Sequence, residues 1–124
     1  MLSYKYRFHG HGSLRYLYSK GQSTRNRLLQ VRYVANKKRT DSRATVVVSK
    51  KVIKSAVKRN RVRRRVYEIL RRNWSDIAVP VDFAVTIFAA EAETIPADVL
   101  ESNVLGVLSQ AGLYQSHSQS DKIN

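Results

Sequence analysis

Residues 58–65 read KRNRVRRR, and six of these eight side chains are cationic. Arginine and lysine at this density hold anions. A guanidinium grips a phosphate through two hydrogen bonds and stacks on bases. Asn60 and Val62 interrupt the run, which a tail acting only as a charge carrier does not require. At about 100° per residue, Val62, Val66, Ile69 and Leu70 share one arc of a helix. Lys54, Lys58, Arg61, Arg65 and Arg72 share a second, with Arg64 at its edge, and Arg59 and Arg63 fall on the other flank of the apolar stripe. Glu68 lies four residues from both Arg64 and Arg72 and can pair with either. The pattern predicts a packed helix with a cationic stripe.

Other chemistry is poorly provided for. Cysteine is absent, so there is no thiol nucleophile, disulfide or thiolate metal site. His9 and His11 stand two apart in a Gly-rich stretch without a third ligand nearby, a weak metal pattern, and His117 is remote. Asp76, Asp82, Glu91, Glu93, Asp98 and Glu101 read as turn, first-turn and surface carboxylates lying away from the basic helix. No phosphate loop of the Gly-rich, Lys-Ser/Thr type occurs. No residue is assigned a catalytic role and no protein metal site is expected.

The charge balance names the kind of partner. The 124 residues carry a net charge of +14, unevenly spread. Residues 1–72 hold 22 of the 23 Lys and Arg but only Asp41 and Glu68 as acids; residues 73–124 hold Lys122 against seven acids. Such charge repels itself in a compact state unless a polyanion neutralises it, and nucleic acid is the commonest such partner. An anionic membrane would favour Trp or Phe on the basic helix, yet Trp74 lies beyond it. No apolar run approaches a membrane span. The opening lacks the apolar core of a secretory signal, and its Arg- and Ser-rich character leaves a transit peptide as the rival reading.

The elements that must position the basic stripe can be read in order. With 43% hydrophobic and 26% charged residues, the chain suits one globular domain, expected over residues 1–114, with 115–124 as a tail that has little to bury. HGHGSLRYLYSKG, residues 9–21, reads as a short helix capped by Ser13 and closed by Gly21, with Leu14, Leu17 and Tyr18 on one face. Residues 28–34 alternate as a strand, with Leu29, Val31 and Tyr33 opposite Gln30 and Arg32. Residues 43–49 are β-branched and read as a second strand, paired antiparallel with the first. The basic helix spans 51–73. Residues 83–89 read as a buried strand. Pro96 fits the first turn of a last helix with Leu100, Val104, Val107, Leu108 and Ala111 as its apolar stripe. A helix-turn-helix reader of DNA would need a short helix just before the basic one; the strand-like ATVVV stands there instead.

VSKKVIKSAVKRNRVRRRVYEILR, residues 48–71, resembles the signature of the protein subunit of bacterial ribonuclease P. The matching residues are Ser49-Lys50-Lys51, Ala56-Val57 and Arg59-Asn60-Arg61. Leu14, Leu17 and Gly21 supply the family's spacing in the first helix, though Leu14 stands where Phe is common. Ile53-Lys54-Ser55 departs from a frequent Gly-Asn. The DFAVTIFA strand and a C-terminal helix follow in the expected order, so the resemblance covers about residues 7–114.

The resemblance implies an α+β fold: an α/β sandwich of three helices on a mostly antiparallel sheet of about four strands, with a left-handed βαβ crossover. It implies a monomeric, cytoplasmic bacterial subunit, one per RNA, in a ribonucleoprotein that removes the 5′ leader of precursor tRNA. Catalysis is expected in the RNA subunit, with Mg²⁺ bound mainly by RNA and substrate. Lys50, Lys51, Lys54, Lys58, Arg59, Asn60, Arg61, Arg64 and Arg65 are expected to bind the RNA subunit. Phe8, Leu14, Tyr18 and Arg32 are expected to bind the leader in a groove between sheet and helix. Tyr33 remains either a stacking residue there or ordinary core. A ribosomal protein clamping rRNA would share this composition and is the competing reading.

Overall fold

The computed structural model describes residues 2, 6–7, 11–36, 40–77 and 80–115. Their order is α1 (His11–Lys20), β1 (Gln22–Arg25), β2 (Leu29–Ala35), β3 (Arg43–Val48), α2 (Ala56–Arg72), β4 (Val81–Ile87) and α3 (Ala97–Gln110). Short 3₁₀ turns occupy Trp74–Asp76 and Ala90–Glu93. The strands form one sheet in the order β1-β2-β4-β3. The β1–β2 and β2–β4 pairs are antiparallel, and β3–β4 is parallel. Three helices on a mixed, mostly antiparallel sheet is the expected α+β architecture.

One expected pairing is wrong. β2 and β3 are not neighbours, because β4 runs between them. Burial explains the insertion. Six of the seven β4 residues are buried, including Asp82 and Ala84 on the face away from the main core, and a strand covered on both faces belongs in the middle of a sheet. The parallel β3–β4 pair then requires a long crossover, and α2 supplies it. β1, which sequence reasoning missed, is QSTR with three of four residues exposed. Its hairpin is closed by Asn26, whose Oδ1 accepts from the Leu28 and Leu29 N–H groups at 2.8 and 2.9 Å.

Register sorts the side chains onto two faces. Leu29, Val31 and Tyr33 of β2 stand opposite Ile87, Val85 and Phe83 of β4, which stand opposite Val48, Val46 and Ala44 of β3. This face meets Val62, Val66, Ile69 and Leu70 of α2 and Leu100, Val104, Val107 and Leu108 of α3 in one core. Each fully buried aliphatic of this kind contributes about 1.5–3 kcal/mol. Tyr67 is buried with them, and its hydroxyl accepts from the Val46 N–H at 3.3 Å, satisfying a donor that β3 does not use on β4.

Helix ends differ from expectation where caps compete. α2 starts at Ala56, not 51, because Ser55 caps it: its Oγ accepts from the Lys58 N–H at 3.3 Å. Lys54 therefore precedes the helix. α1 starts at His11, so Ser13 lies inside its first turn. Pro96 occupies the N-cap of α3. That helix ends in a left-handed residue, Gly112 at φ 78°, with Gly112 N–H on Ser109 O and Leu113 N–H on Leu108 O, the pattern that uses up terminal carbonyls. Ala111 is its C-cap. Most of the expected tail, 116–124, lies outside the described residues.

Candidate nucleic-acid interface

The Ser55 cap fixes the start of α2, and its apolar stripe fixes its rotation. Val62, Val66, Tyr67, Ile69 and Leu70 are buried, so the cationic arc faces outward. Lys50 and Lys51, in the turn after β3, are exposed, as are Lys54, Lys58 and Arg64. None of these five has an ion-pair or side-chain hydrogen-bond partner among the described residues. They form a patch in which phosphate oxygens would meet cations that no carboxylate has claimed.

The remaining basic residues are partly occupied by the fold. Arg59 donates from Nη1 to the carbonyls of Ile53 at 3.0 Å and Lys54 at 2.8 Å, tying the basic turn to the helix. Arg65 donates from Nη1 to Ala92 O at 2.8 Å and from Nη2 to Ile95 O, pinning the β4–α3 connection. Arg61 pairs with Glu93 at 2.8 Å and keeps about half of its side chain exposed. Asn60 is exposed and accepts from Arg63 Nη1 at 2.6 Å.

The carboxylates are therefore not remote from the basic helix, as the sequence suggested. Glu93 and Glu101 return to it, Glu101 pairing with Arg72 at 3.3 Å and accepting from Asn73 at 3.0 Å. Glu68 pairs with Arg71, three residues on, rather than with Arg64 or Arg72. Its carboxyl is held down at about 2, first through its hydrogen bonds with the Arg71 guanidinium. Asp82, expected at a turn, is buried and accepts from Arg43 Nε at 3.1 Å, Arg43 Nη2 at 2.8 Å and Asn36 at 2.9 Å. No group of three His, Cys, Asp or Glu side chains comes together among the described residues.

The second face of the sheet forms a groove against α1. Leu17 and Ala84 are fully buried yet stand outside the main core, which seats α1 on the face opposite α2. The approach is close at Gly21, where an added Cβ would lie 2.5 Å from Leu17 O and 2.9 Å from Tyr33 O. Glycine is required there by space, since its φ is not left-handed. Arg32 lies on this face, opposite Ala84 and Ser23. Its Nη2 donates to Tyr18 O at 2.9 Å, and its guanidinium sits 5.6 Å from the Tyr18 ring centre. Arg32 Nε is buried with no acceptor among the described residues. Tyr18 is 42% exposed, and Leu14 is half-buried one turn before it. Gln30, Thr45, Val47 and Thr86 floor the groove and are partly accessible.

Tyr33 is not in this groove. It projects from the other face, packs partly against the main core, and donates its hydroxyl to Gln22 Oε1 at 3.2 Å, because β2 alternates and Arg32 already points to the groove. Phe8, His9 and His117, and the side chain of His11, lie outside the described residues. Two residues that sequence reasoning missed do reach the groove: Arg25, opposite Gln30, and Phe88, with the guanidinium 4.5 Å from the ring centre. Continuing the β4 alternation from Ala84 through Thr86 would have placed Phe88 there. Arg25 gave no signal, being in a strand too polar to be read as one.

A helix with an unclaimed cationic patch, and a polar sheet groove edged by cation–aromatic pairs, suit an α+β protein of the RNA-binding class. The family model for ribonuclease P matches residues 2–112. The ribonuclease P protein component of Clostridium kluyveri is 34% identical over 111 residues, covering 89% of this chain and 97% of that protein. The Clostridium botulinum component is 38% identical over 103 residues, covering 81% and 88%. Among solved structures, the Staphylococcus aureus RNase P protein superposes with a TM-score of 0.80 at 27% identity, covering 89% of this chain and 98% of that one. The Thermotoga maritima RNase P protein gives 0.76 at 25%, covering 84% and 96%. The chain belongs to the ribonuclease P protein family. Its activity is that of the ribonucleoprotein endonuclease that matures tRNA 5′ ends, in which it is the protein component.

Proposed function

We propose that the two surfaces divide the work of this subunit. The catalytic RNA lies on Lys50, Lys51, Lys54, Lys58 and Arg64, with Asn60 and the exposed half of Arg61 beside them. Arg59 and Arg65 serve this surface from behind, by holding the basic turn and the β4–α3 connection on α2. The single-stranded 5′ leader of precursor tRNA lies in the groove, where Tyr18 and Arg32 stack on a base and Leu14 supports the ring. Phe8 is kept as a further leader contact on the strength of family position. Bases offer a π-face whatever their identity, so such contacts tolerate sequence, as a subunit that serves many tRNAs requires.

Hydrolysis is assigned to the RNA subunit. Mg²⁺ prefers an oxygen octahedron completed by phosphates and water. Among the described residues no three acids come together, and Asp82, Glu68, Glu93 and Glu101 each accept from arginine. The metal ions are assigned to RNA and substrate phosphates. The subunit raises their occupancy by neutralising surrounding phosphate. No described helix is long and apolar enough to cross a membrane, and a cytoplasmic address in a bacterium goes with the role.

The observation that carries this reading is the pairing of five unclaimed cations on one layer with the Tyr18–Arg32 groove on the other. The test is reconstitution. The purified chain, added to a bacterial ribonuclease P RNA at low Mg²⁺, should restore cleavage of precursor tRNA. An RNA that stays inactive with the chain bound would refute the assignment.

A further inference from the structure

The groove has a second cation–aromatic pair that the leader reading leaves unused. Arg25 lies on the edge strand β1, on the groove face, and is exposed. Its guanidinium rests on the Phe88 ring at 4.5 Å, closer than Arg32 rests on Tyr18. Phe88 follows β4 directly, its N–H bonded to Leu28 O at 2.9 Å, so backbone holds the ring in place. The neighbouring Arg27 is paired with Glu91; no acid is paired with Arg25 among the described residues. An arginine whose guanidinium lies over an aromatic ring can offer its other side to a further planar group.

Position favours RNA as that group. Ala84, beside Arg32, and Phe88 are four residues apart along the chain, or about 13 Å at the usual strand rise. Stacked nucleotides rise roughly 3.4 Å each, so the two pairs cannot hold neighbours of one continuous stack. They suit two splayed bases of one strand. β3 and β4 run parallel and end together, Val48 opposite Ile87. The Arg25–Phe88 pair thus sits in the groove at the sheet end from which the Lys50–Lys54 turn departs.

We propose that Arg25, held over the Phe88 ring, is a second stacking platform for the single-stranded leader, taking a base distinct from the one at Tyr18. The inference rests on the groove reading above. Arg25 is the contacting residue and Phe88 positions it.

Holoenzyme assembled from the full chain and a bacterial ribonuclease P RNA is titrated with mature tRNA and with precursors whose leaders lengthen one nucleotide at a time. The variants are Arg25→Lys, Arg25→Gln, Phe88→Leu and Tyr18→Ala. Lysine keeps the charge and loses the plane. Arg25→Lys and Arg25→Gln should both lose affinity for long-leader precursor, by about fivefold or more. Mature tRNA affinity should hold, and Arg25→Lys should keep the wild-type salt dependence. Phe88→Leu should lose the same length-dependent increment, and Tyr18→Ala a different one. If Phe88→Leu fails to fold, the two Arg25 variants decide alone. Arg25→Lys binding like wild type reduces the residue to a point charge and overturns the proposal. Loss in Tyr18→Ala but not in the Arg25 variants leaves the groove reading standing and removes the second platform. No loss in any variant removes both.

Discussion

At the scale of single residues, Tyr18 carries most of the substrate argument. It is exposed on a helix whose preceding neighbours on the same face, Leu14 and Leu17, turn inward. Tyr18→Ala should weaken binding of leader-bearing precursor by about 1–3 kcal/mol and leave mature tRNA affinity unchanged. An equal loss for both ligands in a direct titration would place the ring in the core. Glu68 makes a pH statement. Its folded carboxyl is held down at about 2 against an ordinary 4.5, chiefly through its hydrogen bonds with Arg71. A depressed folded value means that the stabilisation is complete above pH 4.5 and is lost as pH falls toward 2. Thermal melts of the wild type and Glu68→Gln should therefore differ by a constant amount near neutrality and converge between those values. A gap that persists at pH 2 would contradict the pairing.

At the scale of elements, α2 shows how a sequence rich in one charge is sorted by a fold. Its arginines look alike in the sequence. In the structure Arg59 and Arg65 hold carbonyls, Arg61, Arg71 and Arg72 hold carboxylates, and Arg64 with Lys58 holds nothing described. The two kinds should respond differently. Replacing Lys58 and Arg64 together with Ala should weaken RNA-subunit binding without lowering the melting temperature. It should also flatten the log–log salt slope by roughly 0.7–0.9 for each phosphate that is no longer neutralised. Arg59→Ala should weaken assembly and lower the melting temperature together, because it frees the turn that bears Lys50, Lys51 and Lys54. Isothermal binding at several salt concentrations, beside a melt of each free protein, separates the cases. An unaltered melt for Arg59→Ala would return that residue to the groups that touch RNA directly.

At the scale of the whole molecule, the sheet is what allows the two proposed RNA surfaces to coexist. Its apolar face is consumed by α2 and α3, and its polar face is left for α1 and the groove. The strand junction is locked by Asp82, which joins β3 to β4 through Arg43 and reaches the end of β2 through Asn36. Both partners of that ion pair are largely buried. Removing the carboxylate takes the paired charge from a largely buried guanidinium, at about 3 kcal/mol. Asp82→Ala should show that loss in denaturant unfolding and should weaken leader and RNA-subunit binding together, since both surfaces depend on the same sheet. A variant as stable as wild type would mean that Arg43 finds an equivalent acceptor.

The amino-acid sequence by itself determined the three helices, the strands β2, β3 and β4, and the cationic arc of α2. These are periodic patterns, and periodicity is local. It also determined that Tyr33 and Arg32 must part company, since neighbours in a strand face opposite ways. Only the tertiary structure decided that β4 enters between β2 and β3, because strand order is set by which strand must be buried on both faces. Only it brought Glu93 and Glu101 back to α2, because ion pairs across dozens of residues leave no mark in spacing. It alone exposed the Arg25–Phe88 pair, whose members are 63 positions apart in the chain. They meet because β2 lies between β1 and β4 and carries their registers across the sheet.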